Sequence, residues 1–150
     1  MSRRLRLGDV FKLATKKGDA YLQCVASHKT EGETIKVFYR LWSNPAEDVS
    51  SIVSGEYFLV DFPLRYAIPK GIVEYVGHSD LGGFEMPELR RTQNYFGTDS
   101  GWYVINTRTM KREFFDELNE NQLKLSPYGI WNDTLIIEKL EEGWRLEDWW

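Results

Sequence analysis

The chain has one cysteine, Cys24, and two histidines, His28 and His78, among its 150 residues. A lone thiol excludes an internal disulfide and a four-thiolate zinc site, and it suits a reducing compartment. The histidines lie far apart, with no carboxylate or cysteine at metal-ligand spacing from either, so neither a metal nor another cofactor is expected. Proline is also scarce, at five residues. With no Pro/Ser-rich linker, repeat or low-complexity tract, nothing marks a domain boundary, and one domain over residues 1–150 is expected. No segment approaches the ~18 apolar residues of a membrane span. The opening MSRRLRLGDVFKL is basic but lacks the apolar run of a secretory signal. A soluble, cytoplasmic protein without a membrane partner is the expectation.

Aromatic residues, by contrast, are plentiful: 6 Trp, 8 Tyr and 8 Phe, within a hydrophobic fraction of 42%. This excludes a disordered chain, and a chain of this length buries roughly 68–70% of its unfolded surface without covalent staples. Charge is uneven. Residues 1–17 carry six basic side chains against Asp9, a balance of +5; residues 112–150 carry four basic and ten acidic ones, a balance of −6, within an overall −4. The acidic end is either a solvated face, partly neutralised by the basic N-terminus folding back on it, or a surface that steers a basic partner. Nucleic acid is a poor partner for this balance, because phosphates need clustered Lys and Arg.

Three strands fit the first 42 residues, around Val10–Leu13, Tyr21–Ala26 and Ile35–Tyr39, with turn signals at Gly8-Asp9, Lys16 to Asp19 and Glu31 to Glu33. Ser43-Asn44-Pro45-Ala46-Glu47-Asp48 has the chemistry of a helix start and Gly55 that of a stop. Tyr57–Val60, Ile72–Val76 and Trp102–Asn106 are further strand candidates, and His78 to Pro87 reads as a long loop. In the last forty residues a short helix suits Asp116–Leu125. A second is capped around Asn132-Asp133-Thr134, with Gly143 as its stop. The expected fold is α+β and β-rich: an antiparallel sheet or small barrel in the N-terminal two-thirds, a short helix near 44–54, and two C-terminal helices packed on it.

No arrangement of catalytic residue types stands out. Cys24 sits in an apolar strand, where a lone thiol is a small buried hydrophobe. His78-Ser79-Asp80 has the residue types of a hydrolase triad, but neighbouring positions do not deliver triad geometry. Gly97-Thr98-Asp99-Ser100-Gly101 lacks nucleophile-elbow spacing, and Gly82-Gly83 has no phosphate-loop partners. Glu138, Glu141 and Glu142 share a helix surface, which suits a solvated rim better than a catalytic pair. The tryptophans are more informative: Trp131 and Trp144 bracket the last helix, and Trp149-Trp150 close the sequence. Each is either core or an interface anchor. The adjacent Arg90 and Arg91 pair either with a partner's acids or with acids of the fold itself.

The run Arg90-Arg91-Thr92-Gln93-Asn94-Tyr95-Phe96-Gly97, then Gly101-Trp102-Tyr103-Val104-Ile105, Leu125 to Leu135 with Pro127, Tyr128, Gly129 and Trp131, and Leu140-Glu141-Glu142-Gly143-Trp144 together resemble immunity protein 26 of bacterial polymorphic toxin systems. Gly8-Asp9-Val10-Phe11 is similar to that family's start. The likeness runs from about residue 7 to 149, with no matched landmark over 43–88. It implies a non-catalytic cytoplasmic protein that binds and neutralises a cognate protein toxin, a basic nuclease being one class that the acidic end would suit. The candidate partner-binding residues are Arg90, Arg91, Asn94, Phe96, Trp131, Glu138, Glu141, Glu142, Trp149 and Trp150, on a monomer or weak homodimer. Two other readings stay open: a small β-barrel module for a ligand or peptide, and a nuclease-like toxin, which the acidic pI of about 5.3 disfavours.

Overall fold

Apolar runs over the first forty residues produce three strands, and these form the centre of a larger sheet. The computed structural model describes residues 4–28, 32–94 and 101–149. The chain divides into two units, Met1–Gly83 with Ile130–Trp144, and Phe84–Gly129 with Arg145–Trp150. Both are built on antiparallel sheets, and the described chain is α+β and strand-rich.

In the first unit β1 (Asp9–Thr15), β2 (Gly18–Ser27), β3 (Glu33–Phe38), β4 (Tyr57–Phe62) and β5 (Glu74–His78) form one sheet in the order β4-β3-β2-β1-β5. Phe11, Leu22, Val37 and Phe58 are successive cross-strand partners, so they lie in one row on one face. Trp131 and Trp144 pack on Phe58 at 5.7 and 5.2 Å between ring centroids. On the opposite face Val10, Tyr21 and Phe38 meet Ile52, with Trp42, Ala46, Val49 and Val53 around them. Each large apolar side chain buried in this way contributes about 1.5–3 kcal/mol.

The β1–β2 hairpin turns through Lys16 and Lys17 into Gly18, whose φ of +129° is left to glycine. A Cβ there would stand 2.7 Å from Trp42 O. That close approach lets Asp19 and Trp42 exchange backbone hydrogen bonds of 2.8 and 2.9 Å.

No barrel closes among the described residues. β5 pairs with β1 alone, and the outer edge of β4 is met by Ile130 in a single parallel bridge, where Trp131 N donates to Asp61 O. The helix expected near 44–54 shortens to α1 (Val49–Val53), capped by Asp48, whose carboxylate accepts from Ser51 N. Upstream, Ala46 N donates to the Tyr21 hydroxyl, which holds that segment in an irregular course on the sheet. α2 (Leu64–Ala67) is one turn after β4. α3 (Asp133–Glu141) begins where the sequence predicts, with Asn132 Oδ1 accepting from Leu135 N at 2.8 Å and Gly143 at φ +73° beyond its end. The other C-terminal helix, expected over Asp116–Leu125, is instead a loop with one 3-10 turn, Gln122–Lys124. The Asn119 and Gln122 side chains each accept from the other's backbone N–H, which competes with helix formation.

The second unit holds β6 (Leu89–Gln93), β7 (Trp102–Asn106) and β8 (Arg112–Phe115), in that order. β6 carries Arg91, which is 0% exposed. Its Nε donates to Leu125 O, Nη1 to Trp149 O, and Nη2 to both Leu123 O and Leu146 O, at 2.6–3.1 Å. The Trp102 and Trp149 rings flank the guanidinium at 4.6 and 4.7 Å. Arg91's own backbone accepts from Tyr128 N and donates to Ser126 O. Neighbouring Arg90, 3% exposed, donates to Pro127 O and lies 5.3 Å from the Tyr128 ring.

Arg91→Lys keeps the charge but loses the planar fork, leaving at least one of the four carbonyls without its donor. The expected loss of stability is ~2–4 kcal/mol, measured by urea denaturation; an unchanged midpoint would contradict this role.

Candidate functional site

The expected partner residues separate into two groups once placed in the fold. α3 turns Ile136 and Leu140 inward, while Glu138 and Glu142, one turn apart, are exposed. Asp133 sits in the first turn, where the helix dipole favours an acid; Glu142 sits at the C-terminal end, where it disfavours one. Among the described residues neither Glu138 nor Glu142 has an ion pair. Glu141 differs: its carboxylate accepts from Lys16 N at 2.8 Å, and its backbone oxygen accepts from Lys17 Nζ at 2.9 Å. The β1–β2 turn thus meets the acidic helix at Glu141, through a backbone amide and a lysine-to-carbonyl contact rather than an ion pair.

The aromatic and arginine candidates are largely interior. Trp131 and Trp144 are 9% and 6% exposed and stack with Phe58. Arg90 and Arg91 are buried rather than open to a partner, and the guanidinium of each donates to backbone carbonyls. Burial pushes the Arg91 guanidinium down to about 10, against the pull of Glu147, so it stays charged at neutral pH. Trp149 is partly buried edge-on to Trp102, with ring centroids 4.8 Å apart. Asn94 is partly buried at the end of β6, where its N–H donates to Gly101 O. Phe96 and Trp150 lie outside the described residues.

No family model, curated protein or solved structure matches the chain. The site is therefore read from its own chemistry. Among the described residues no group of three or more His, Cys, Asp or Glu could hold a metal ion, and no helix is long and apolar enough to cross a membrane. Cys24 is fully buried, and burial pushes its thiol up to about 12, which leaves it a packing residue rather than a nucleophile.

Two polar constellations escaped the sequence reading. His28 Nε2 lies 2.9 Å from Thr34 Oγ1, which donates to the buried Asp61 at 2.7 Å; the hydroxyl is 0% exposed and out of reach of a substrate. In the other, His78 sits between two carboxylates: Nδ1 is 2.8 Å from Asp9 Oδ1 and Nε2 is 2.9 Å from Asp80 Oδ1. Asp9 is 1% exposed and also accepts from Arg6 N. With both ring nitrogens engaged, the imidazole ties β5 to β1 instead of acting as a free base. A signal was present, since Asp9 falls on the same alternation as buried Phe11 and Leu13.

The hydrogen bond to Asp9, then that to Asp80, hold the His78 imidazolium above its ordinary value of 6.5, while partial burial and Arg6 oppose them. A raised folded value means the stabilisation is complete below the unfolded value and is lost as pH rises through the folded one. Melting temperature relative to His78→Gln is therefore expected to be highest near about pH 6 and to fall toward that of the variant as pH rises. A gap that widens toward alkaline pH would contradict the assignment.

Proposed function

We propose that this protein is a non-catalytic immunity protein, which binds and neutralises a cognate polymorphic toxin in the cytoplasm through a surface that includes Glu138 of α3 and Glu142 at its C-terminal cap. The observation that carries the reading is the pair of exposed carboxylates with no cation of their own among the described residues. One of them stands at a helix end where it weakens the helix. Acids in such a position serve a partner better than they serve the fold. The landmark resemblance to immunity protein 26 supplies the kind of partner, and the carboxylates supply its sign: a basic protein surface such as that of a nuclease.

Trp131 contributes indirectly in this account, by packing with Phe58 and Trp144 in the core of the unit that carries α3. Two solvated carboxylates act chiefly on encounter, so the association rate should depend on salt more than the dissociation rate does.

The test is co-expression with the toxin domain encoded next to the gene. Wild type is expected to rescue growth and form a stoichiometric complex. Glu138→Lys with Glu142→Lys is expected to slow association on the order of tenfold at low salt, with a smaller effect at high salt. Failure to rescue against any neighbouring toxin domain would overturn the reading.

A further inference from the structure

An open groove of about 430 Å³ in the first unit, between the end of β3 and α1, is unrelated to the acidic helix. Its walls include Arg40, Trp42, Asn44, Glu47 and Ser51. The Arg40 guanidinium carbon stands 3.6 Å from the Trp42 ring centroid, a stacked cation–π contact. Guanidinium donors lie in the plane of the group, so stacking fixes the plane and leaves the fork of N–H groups directed sideways.

The platform under Arg40 is itself immobilised. The Trp42 backbone is tied in both directions to Asp19, and its ring meets Tyr21 edge-on at 6.2 Å and 88°. The Tyr21 hydroxyl accepts from Ala46 N, which pins the wall that carries Asn44. On the far side the Ser51 hydroxyl donates to Asp48 at 2.7 Å, leaving its oxygen available as an acceptor.

Two opposite charges line this groove without meeting. Among the described residues, Arg40 and Glu47 form neither a side-chain hydrogen bond nor an ion pair with each other or with any other group. A simple anion would be drawn by Arg40 and repelled by Glu47, and a nucleotide would need more than one cation for its phosphates. A molecule with a carboxylate at one end and an ammonium at the other satisfies both walls. The volume falls within the 300–1,000 Å³ common for small-molecule sites and has room for more than a single amino acid.

We propose that this groove binds a small zwitterion of about dipeptide size, its carboxylate held by the fork of Arg40 and its ammonium by Glu47, with Asn44 and the Ser51 oxygen hydrogen-bonding between them. The carboxylate–guanidinium pair supplies orientation through two parallel hydrogen bonds. The site is open to solvent, so binding is weak and its specificity lies in the two charges. It does not depend on the toxin-binding reading.

The test is a titration of the full ¹⁵N-labelled chain with alanyl-alanine, followed at the Trp42 indole N–H. Three further arms use N-acetyl-alanyl-alanine, alanyl-alaninamide and inorganic phosphate. The dipeptide is expected to shift that resonance saturably. Blocking either end should weaken binding at least about tenfold, as should Arg40→Gln or Glu47→Gln; Glu47→Gln should leave the melting temperature unchanged, and Arg40→Gln should lower it by at most a few degrees through its lost stacking on Trp42. Phosphate binding as tightly as the dipeptide would overturn the proposal, as would equal binding of the blocked peptides or the absence of a saturable shift.

Discussion

Arg91 is a fully buried cation with no carboxylate at ion-pair distance among the described residues, and the second unit is assembled around the donors it offers. Leu123, Leu125, Leu146 and Trp149 belong to short turns, not to a sheet ladder, so their carbonyls have few backbone donors to meet. A buried carbonyl left unpaired costs roughly as much as a lost hydrogen bond, and one guanidinium supplies a donor to all four, Leu146 O accepting from Trp149 N as well. Its charge is balanced by carbonyl dipoles and by the faces of Trp102 and Trp149. Without this group Leu123 O, Leu125 O, Leu146 O and Trp149 O would each lose a donor that Arg91 supplies.

The first unit solves a related problem at the ends and edges of its five strands. Gln23, buried in β2, donates to Gly8 O and Ser79 O. Glu33 accepts from Arg65 N, and Asp61 from Thr34. Asp9 holds His78. These contacts close the polar backbone and side chains around a face filled by Phe11, Leu22, Val37 and Phe58. Covered by Trp131 and Trp144, that face sets the position of α3. Once Ile136 and Leu140 point inward, the spacing of a helix leaves Glu138 and Glu142 no course but outward. The surface assigned to a partner is thus a consequence of how the core is filled.

Local chemistry was readable in the sequence, and long-range chemistry was not. The Asn132 cap and the Gly143 stop act within a few residues of themselves, and both appear where the residues place them. β1 to β5 and β7 coincide with apolar runs and were visible for that reason. β6 was not, because Leu89-Arg90-Arg91-Thr92-Gln93 reads as polar, and the carbonyls that its buried arginines meet lie more than thirty positions away. β8, Arg112–Phe115, is mostly exposed and has no inward period to detect. The 116–125 segment has helical composition but is held by the reciprocal Asn119–Gln122 bonds. At the candidate site, the spacing of Glu138 and Glu142 was legible. The different fate of Glu141 was not, since its partners lie 124 and 125 positions away. His78 and Asp9, 69 apart, met only in three dimensions.

The second unit rests on a guanidinium held in a cage of carbonyls and indoles. The most direct measurement is the hydrogen exchange of arginine side chains in the ¹⁵N-labelled protein, read at Nε–H and Nη–H. Arg91 is expected to show separate, slowly exchanging Nη resonances, protected as well as the amides of β7. Exchange as fast as that of exposed Arg108 and Arg112 would show that the cage opens freely, and would contradict the claim that Arg91 holds the second unit together.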